Sequence, residues 1–259
     1  MSLASFQRAL CDLIASPALC LAVRADAEAA FAGYELSARE LKRLATVVWQ
    51  RGMCTNCTLY RSNRITPIYT LLRYTCRALG PQFRALIDEF WTVKNYKDGQ
   101  FKSEVERFGA FLRERIAAGA VANPYVGEVL AFELARNELE FGPRRSVMRA
   151  VARLPPLQSD QPCRLHPLAR LVRFRHDPQA IFAALAAGTA PPPDLPEVEA
   201  FVVLSVAEGD LKVLRLGEGA PCVDDKESPC PTWPVARVAP ELADAGLLLP
   251  LVFTERGES

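Results

Sequence analysis

Cysteine is the side chain in this sequence with the widest range of possible chemistry, and the chain has eight cysteines and two histidines. Cys54 and Cys57 form a CxxC pair, a spacing that occurs at zinc sites and at redox-active dithiols. Cys222 and Cys230 could complete a four-thiolate zinc site, but they are too far apart in sequence for a typical ligand pair. A thioredoxin-like CxxC follows a strand, whereas this pair follows a predicted helix. We expect reduced thiols, and a thiol or zinc protein is the least favoured interpretation.

Other catalytic motifs are scarce in the sequence. A two-histidine iron site would have to use both His166 and His176, for which we expect ordinary surface or strand-end roles instead. No glycine-rich phosphate loop of the GxxxxGK[ST] or GxGxxG type occurs. Lys and Arg number 31 against 30 Asp and Glu, so the net charge indicates neither nucleic acid nor a membrane surface as partner. No apolar run reaches the roughly 20 residues that cross a bilayer, and we expect a soluble cytoplasmic protein.

The first 150 or so residues show apolar stripes at helical spacing. Ser37 and Glu40 form a capping box before one predicted helix. Thr66 is predicted to cap another, with Pro67 in its first turn and Gly80 at its end. Further apolar stripes predict helices that contain Phe6, Phe83, Phe101 and Tyr125. The sequence therefore predicts an all-helical domain over residues 1–153.

The proline-rich segment 154–162 predicts a domain boundary. Beyond it we expect a small α+β domain over residues 163–259. Its predicted elements are a strand that ends near His176, a helix between Asp177 and Gly188, and an antiparallel hairpin with strands at 200–206 and 211–216. A helix at 239–245 and a strand at 247–253 follow. The predicted fold class is α+β, helical first and then mixed.

Two polar residues, Glu133 and Asn137, lie on or beside the apolar face of a predicted helix. A buried carboxylate needs a partner, and Arg61 and Arg64 are the expected ones, pinning the loop before the Thr66 helix. Alternatively, these arginines face outward and bind an acidic partner surface. The candidate cluster, structural or at a partner interface, comprises Tyr60, Arg61, Asn63, Arg64, Glu133 and Asn137.

Short motifs between about residues 55 and 140 resemble the partner subunits of multinuclear non-heme iron oxidases. They begin with the box Tyr60-Arg61-x-Asn63-Arg64 and an apolar helix that ends at Leu79-Gly80. They continue with Phe83, Phe90-Trp91, Phe108, Phe111-Leu112, Pro124-Tyr125-Val126 and Glu133. The family includes the bufferin-type, methanobactin-type and 3-thiaglutamate-type partner proteins. Cys54 and Cys57 are not part of its pattern, and the C-terminal domain matches only in outline.

The resemblance implies a non-catalytic accessory subunit without a cofactor of its own. The iron would belong to a TIM-barrel oxidase that modifies cysteines of a ribosomally made precursor peptide. The chain would work in a hetero-oligomer, with the helical domain contacting the enzyme and the α+β domain engaging the peptide, and with no nucleic acid or membrane as partner. An exposed sheet edge can accept an extended leader peptide as an added strand. Candidate residues on the two hairpin strands are Phe201, Val203, Ser205, Leu211, Val213 and Arg215.

A DNA-binding transcriptional regulator is the alternative from another class. In that interpretation the arginine-rich box and the Thr66 helix would enter a groove of the duplex. Basic residues are frequent over residues 39–77, but Asp88, Glu89 and Glu104 soon offset them. Steep salt dependence of binding would identify this function.

Overall fold

The computed structural model describes residues 3–93, 101–158, 162–216, 232–234 and 240–250 of the chain. Within these ranges the predicted α+β class is confirmed, because helices make up most of the chain and short strands form two antiparallel sheets. The chain divides into two compact units. One consists of Met1–Thr70 with Asp98–Glu104, and the other of Leu71–Lys97 with Val105–Ser259.

The N-terminal part of the chain forms five helices: α1 Leu3–Ala15, α2 Pro17–Ala25, α3 Ala27–Ala30, α4 Ala38–Val47 and α5 Arg51–Leu71. The capping box before α4 is confirmed, since Ser37 Oγ accepts from the N–H of Glu40 and the Glu40 carboxylate accepts from the N–H of Ser37. Apolar side chains of these elements share one core, which comprises Ala9, Leu13, Cys20, Val23, Phe31, Leu44, Val48, Met53 and Cys57.

The predicted helix start at Thr66 is wrong, because α5 is continuous through this position. Thr66 Oγ1 donates to the carbonyl of Ser62 at 2.7 Å, a bond made inside a helix rather than at its cap. Pro67 lies inside α5, where it has no N–H to donate to the preceding turn, and it is buried. The break comes later, at Leu72, whose φ of −116° and ψ of 44° are not helical. The Tyr60–Arg64 box is therefore helical and does not lie in a loop.

The remaining helices are α6 Arg73–Leu79, α7 Gln82–Val93, α8 Phe101–Ala117, α9 Val126–Phe141, α10 Arg144–Val151, α11 Pro178–Ala187 and α12 Pro240–Asp244. The predicted stop at Gly80 is confirmed, with a φ of 51° that favours glycine. Both ends of α11 are confirmed as well. Asp177 accepts from the N–H of Ala180, and Gly188 caps the end with a φ of 79°.

The strands are β1 Pro162–Leu165, β2 Ala169–His176, β3 Glu197–Ser205, β4 Lys212–Arg215, β5 Thr232–Pro234 and β6 Leu248–Pro250. They form two sheets with strand orders β5-β1-β6 and β2-β3-β4. The predicted hairpin is confirmed as β3 and β4, and the predicted last strand is confirmed at β6. Predictions at Cys222, Cys230, Ala239 and 251–253 lie outside the described residues.

The β2-β3-β4 sheet packs against α9 inside the second unit. Phe132 of α9 lies with its ring centroid 6.3 Å from that of Phe174 on β2 and 4.7 Å from that of Phe182 on α11. The proline-rich segment 154–162, predicted as the domain boundary, falls within this unit. The assignment of enzyme contact to residues 1–153 and of peptide contact to residues 163–259 stays a prediction.

Over the part of the chain that the structure describes, no single helix is both long and apolar enough to cross a bilayer. α1 and α2 taken together pass the same criteria, but they are bent by 111° relative to each other.

Candidate functional site

Among the residues that the structure describes, strand β4 is an outer strand of its sheet, because β3 lies between it and β2. In their antiparallel register the paired residues are Val202 with Arg215, Val203 with Leu214, Leu204 with Val213 and Ser205 with Lys212. The prediction that β3 could provide an open edge is therefore wrong. Phe201, Val203 and Ser205 lie on a strand that has neighbours on both sides.

The backbone groups of β4 alternate in direction. The N–H of Leu216 donates to the carbonyl of Phe201 at 2.9 Å. Every second residue faces the same neighbouring strand, so the backbone N–H and C=O groups of Leu214 also point toward β3. Those of Val213 and Arg215 point to the outer side of the sheet. Among the described residues no strand pairs with that side. Two of the predicted peptide-binding residues, Val213 and Arg215, thus direct their backbone groups to a side of β4 that no described strand occupies.

A groove of about 440 Å³ lies beside β4. Lys212 and Val213 of β4, Ser205 of β3 and Leu247 before β6 contribute to its walls. Val213 is 56% exposed, although it is a large apolar residue. Asp244 adds a carboxylate, so the groove offers both apolar and charged contacts. Such a groove can hold side chains of an extended peptide.

The Tyr60–Arg64 box has a buried side and an exposed side on α5. Arg64 Nε donates to Glu104 Oε1 at 2.7 Å, and the two side chains are only 10% and 4% exposed. The Arg64 guanidinium also lies 5.6 Å from the ring centroid of Tyr60, one helical turn earlier. Arg61 and Asn63 are exposed. Only these two fit the alternative in which the box meets a partner.

Glu133 and Asn137 are buried on α9, and the predicted pairing of Glu133 with Arg61 or Arg64 is wrong. The Glu133 carboxylate accepts from the backbone N–H groups of Tyr74 and Thr75, each at 2.8 Å. The first N–H groups of a helix have no partner inside it, and Tyr74 and Thr75 lie in the first turn of α6. Burial raises the pKa of Glu133, while the two backbone hydrogen bonds act in the opposite direction.

The two histidines have separate structural roles. His166 is 4% exposed, not a surface residue, and its Nδ1 accepts from the N–H of Leu168 at 3.0 Å. Burial lowers the pKa of His166. His176 ends β2, and its Nδ1 lies 2.8 Å from Glu128 Oε1. In the described ranges no group of three or more His, Cys, Asp or Glu side chains is arranged to hold a metal ion.

The structure brings together two cysteines that the sequence did not relate. Cys20 of α2 and Cys57 of α5 have their Sγ atoms 4.0 Å apart. Both line a cavity of about 310 Å³ in the first unit. The side chain of Cys54, the other half of the CxxC pair, lies outside the described residues. The residues are far apart in the sequence, which carries no signal for this pairing.

No protein-family model matches the chain, and no curated protein matches it.

Proposed function

We propose that this chain is the accessory subunit of a multinuclear non-heme iron oxidase and holds a ribosomal precursor peptide while the oxidase modifies the peptide's cysteines. The iron and the catalytic residues belong to the oxidase, a TIM-barrel protein. The complex forms in the cytoplasm and contains neither nucleic acid nor membrane. The motif resemblance over about residues 55–140 supports the choice of oxidase.

One observation carries the peptide-binding part of the proposal: within the described ranges β4 is an outer strand, and its Val213 and Arg215 backbone groups point away from β3. An added strand would bond to these groups whatever its side chains are, and the adjoining groove would select among peptides. Lys212 and Arg215 place charges on this short strand, which is typical of edges that must not pair with a second copy of the same protein.

A backbone substitution tests this edge directly. Val213→Pro removes an N–H that points outward, so it leaves the ladder between β3 and β4 intact. Val213→Ala is the matched control, because it shortens the same side chain and keeps the N–H. The full chain is co-expressed with the oxidase and a tagged precursor, and the captured peptide is measured by intact mass. We expect Val213→Pro to lower precursor capture by about tenfold relative to Val213→Ala.

Copurification with the oxidase should be the same for both variants, because the substitution lies on the peptide edge. Equal capture of precursor by Val213→Pro and Val213→Ala would refute the role of β4. If the wild-type chain neither binds the oxidase nor changes the mass of the peptide, the accessory-subunit proposal itself fails.

The enzyme contact is tested on α5. Arg61 is exposed within the motif box, and Arg51 is exposed at the start of the same helix. We expect Arg61→Glu to weaken copurification with the oxidase and Arg51→Glu to leave it unchanged. Equal losses of copurification in both variants, or no loss in either, would show that the motif box is not part of the interface with the oxidase.

Point substitutions are preferable to a truncation at residue 162. Phe174 and Phe182 pack on Phe132 of α9, so deletion of residues 163–259 would expose the apolar face of that helix. Such a fragment could lose oxidase binding because it misfolds, and not because a contact with the oxidase was removed.

A further inference from the structure

The thiols of Cys20 and Cys57 share a single hydrogen-bond acceptor. Cys20 Sγ lies 3.1 Å and Cys57 Sγ 3.5 Å from the carbonyl oxygen of Leu13. In a continuous helix this carbonyl would bond to the N–H of residue 17, but that residue is Pro17 and has none. The Leu13 carbonyl at the end of α1 thus accepts from the two thiols, which places them side by side.

The same pair forms part of the wall of a cavity. The two cysteines are 7% and 6% exposed, and the cavity of about 310 Å³ gives a small molecule access to them. Arg24 and Arg61 also line this cavity. The Arg24 guanidinium donates to the carbonyl of Val48, a neutral partner, so its positive charge beside the cavity favours a negatively charged disulfide over a neutral one.

We propose that Cys20 and Cys57 form a reversible dithiol–disulfide pair that exchanges with small anionic disulfides such as oxidised glutathione. In the first step one protein thiolate attacks a sulfur of the glutathione disulfide, which forms a mixed disulfide and releases one reduced glutathione. In the second step the other protein thiolate attacks the protein-bound sulfur and releases the second glutathione. Two electrons pass from the protein pair to glutathione, and the two thiol protons pass to the two glutathione thiolates.

The geometry favours a disulfide that is easily reduced again. The Sγ atoms, 4.0 Å apart, must approach by about 2 Å to bond. Oxidation also takes away both thiol donors, and the buried carbonyl of Leu13 is left without them. These costs act on the oxidised state alone. This activity is independent of the proposed peptide binding and needs only this chain and the oxidised glutathione.

Peptide mapping of the full chain tests the proposal. The reduced protein is incubated with oxidised glutathione, alkylated, and digested with trypsin. One fragment, residues 9–24, contains Cys11 and Cys20, and another, residues 52–61, contains Cys54 and Cys57. We expect these fragments to be linked with the loss of two hydrogen masses, and reduced glutathione to reverse the link.

Single variants assign the bond. Cys11→Ser and Cys54→Ser should keep the link, and Cys20→Ser and Cys57→Ser should abolish it. A bond between Cys54 and Cys57, a link that survives Cys20→Ser, or stable glutathione adducts without a link would overturn the proposal. The wild-type map decides even if a variant fails to fold.

The charge preference has its own test. Arg61→Ala should slow the reaction with oxidised glutathione severalfold and leave the reaction with the neutral bis(2-hydroxyethyl) disulfide unchanged. Equal slowing with both disulfides would show that Arg61 does not select for negative charge.

Discussion

Glu133 and Asn137, one turn apart on α9, bind the two helix ends that meet at Leu72. The Asn137 amide donates to the carbonyl of Leu71, the last residue of α5, at 3.1 Å. Glu133 accepts from the first turn of α6, where Leu72 provides no side-chain cap. The carboxylate also faces the positive end of the helix dipole. The helix therefore breaks at Leu72 without a glycine or proline there, and two side chains of α9, distant in sequence, stabilise the break.

Replacing the carboxylate should destabilise this break. Glu133→Gln keeps the shape of the side chain but exchanges one accepting oxygen for an amide that cannot accept from α6. We expect the free energy of unfolding to fall by about 1–3 kcal/mol, measured by urea denaturation at neutral pH. Glu140→Gln is the control, because Glu140 forms a half-buried pair with Arg136 on the same helix, worth under about 1 kcal/mol. Equal losses in both variants would contradict this role for Glu133.

The Arg64–Glu104 pair should show strong coupling. Arg64→Met removes the guanidinium that neutralises a buried carboxylate, and we expect a loss of about 3–5 kcal/mol in the free energy of unfolding. The double variant with Glu104→Leu should lose less than Arg64→Met alone, because no buried charge then remains. A double-mutant cycle by urea denaturation measures this coupling, and simple additivity would show that the pair contributes no net interaction.

Helix ends were predictable where the signal is local. Ser37 with Glu40 and Asp177 with Gly188 each act within a few residues of the end they mark, so the sequence pattern alone identifies them. The hairpin was predictable for the same reason, since its turn and its strands are neighbours in the chain.

Non-local partners could not be predicted in this way. Pro67 looked like a helix start, because proline is common in the first turn of a helix, but α5 continues through it. Glu133 was expected to pair with an arginine, but its carboxylate accepts from backbone N–H groups of α6, a kind of partner that the side-chain sequence does not mark. The hairpin sequence does not show which of its two strands lies at the edge. That depends on the strand order, in which β2 pairs with β3 and not with β4.

Tyr125, part of the motif run, has a structural role that can be measured. Its hydroxyl donates to the carbonyl of Pro192 at 2.6 Å and accepts from the N–H of Leu195 at 3.1 Å. This ties the segment before β3 to the start of α9. We expect Tyr125→Phe to lower the free energy of unfolding by about 1–3 kcal/mol, because both backbone groups lose their partner. Tyr74→Phe is the control, with an expected change within about 0.5 kcal/mol. Equal values would mean that water replaces the Tyr125 hydroxyl without cost.

His166 should make stability depend on pH. Its pKa is lowered from an ordinary value of 6.5, so the unfolded chain takes up a proton at a higher pH than the folded one. The contribution of His166 is complete above 6.5 and is lost as the pH falls from there toward the folded-state pKa. The geometry explains the direction, because protonation of Nδ1 would break the bond from the N–H of Leu168.

The variant His166→Asn isolates this effect. Its side-chain oxygen can accept from the N–H of Leu168, as in an Asx turn, but it does not titrate. Urea denaturation between about pH 5 and 8 should show the wild type losing stability relative to the variant as the pH falls. A constant difference across this range would mean that the His166 ring is protonated as easily in the folded protein as in the unfolded chain, and that its burial does not hold it neutral.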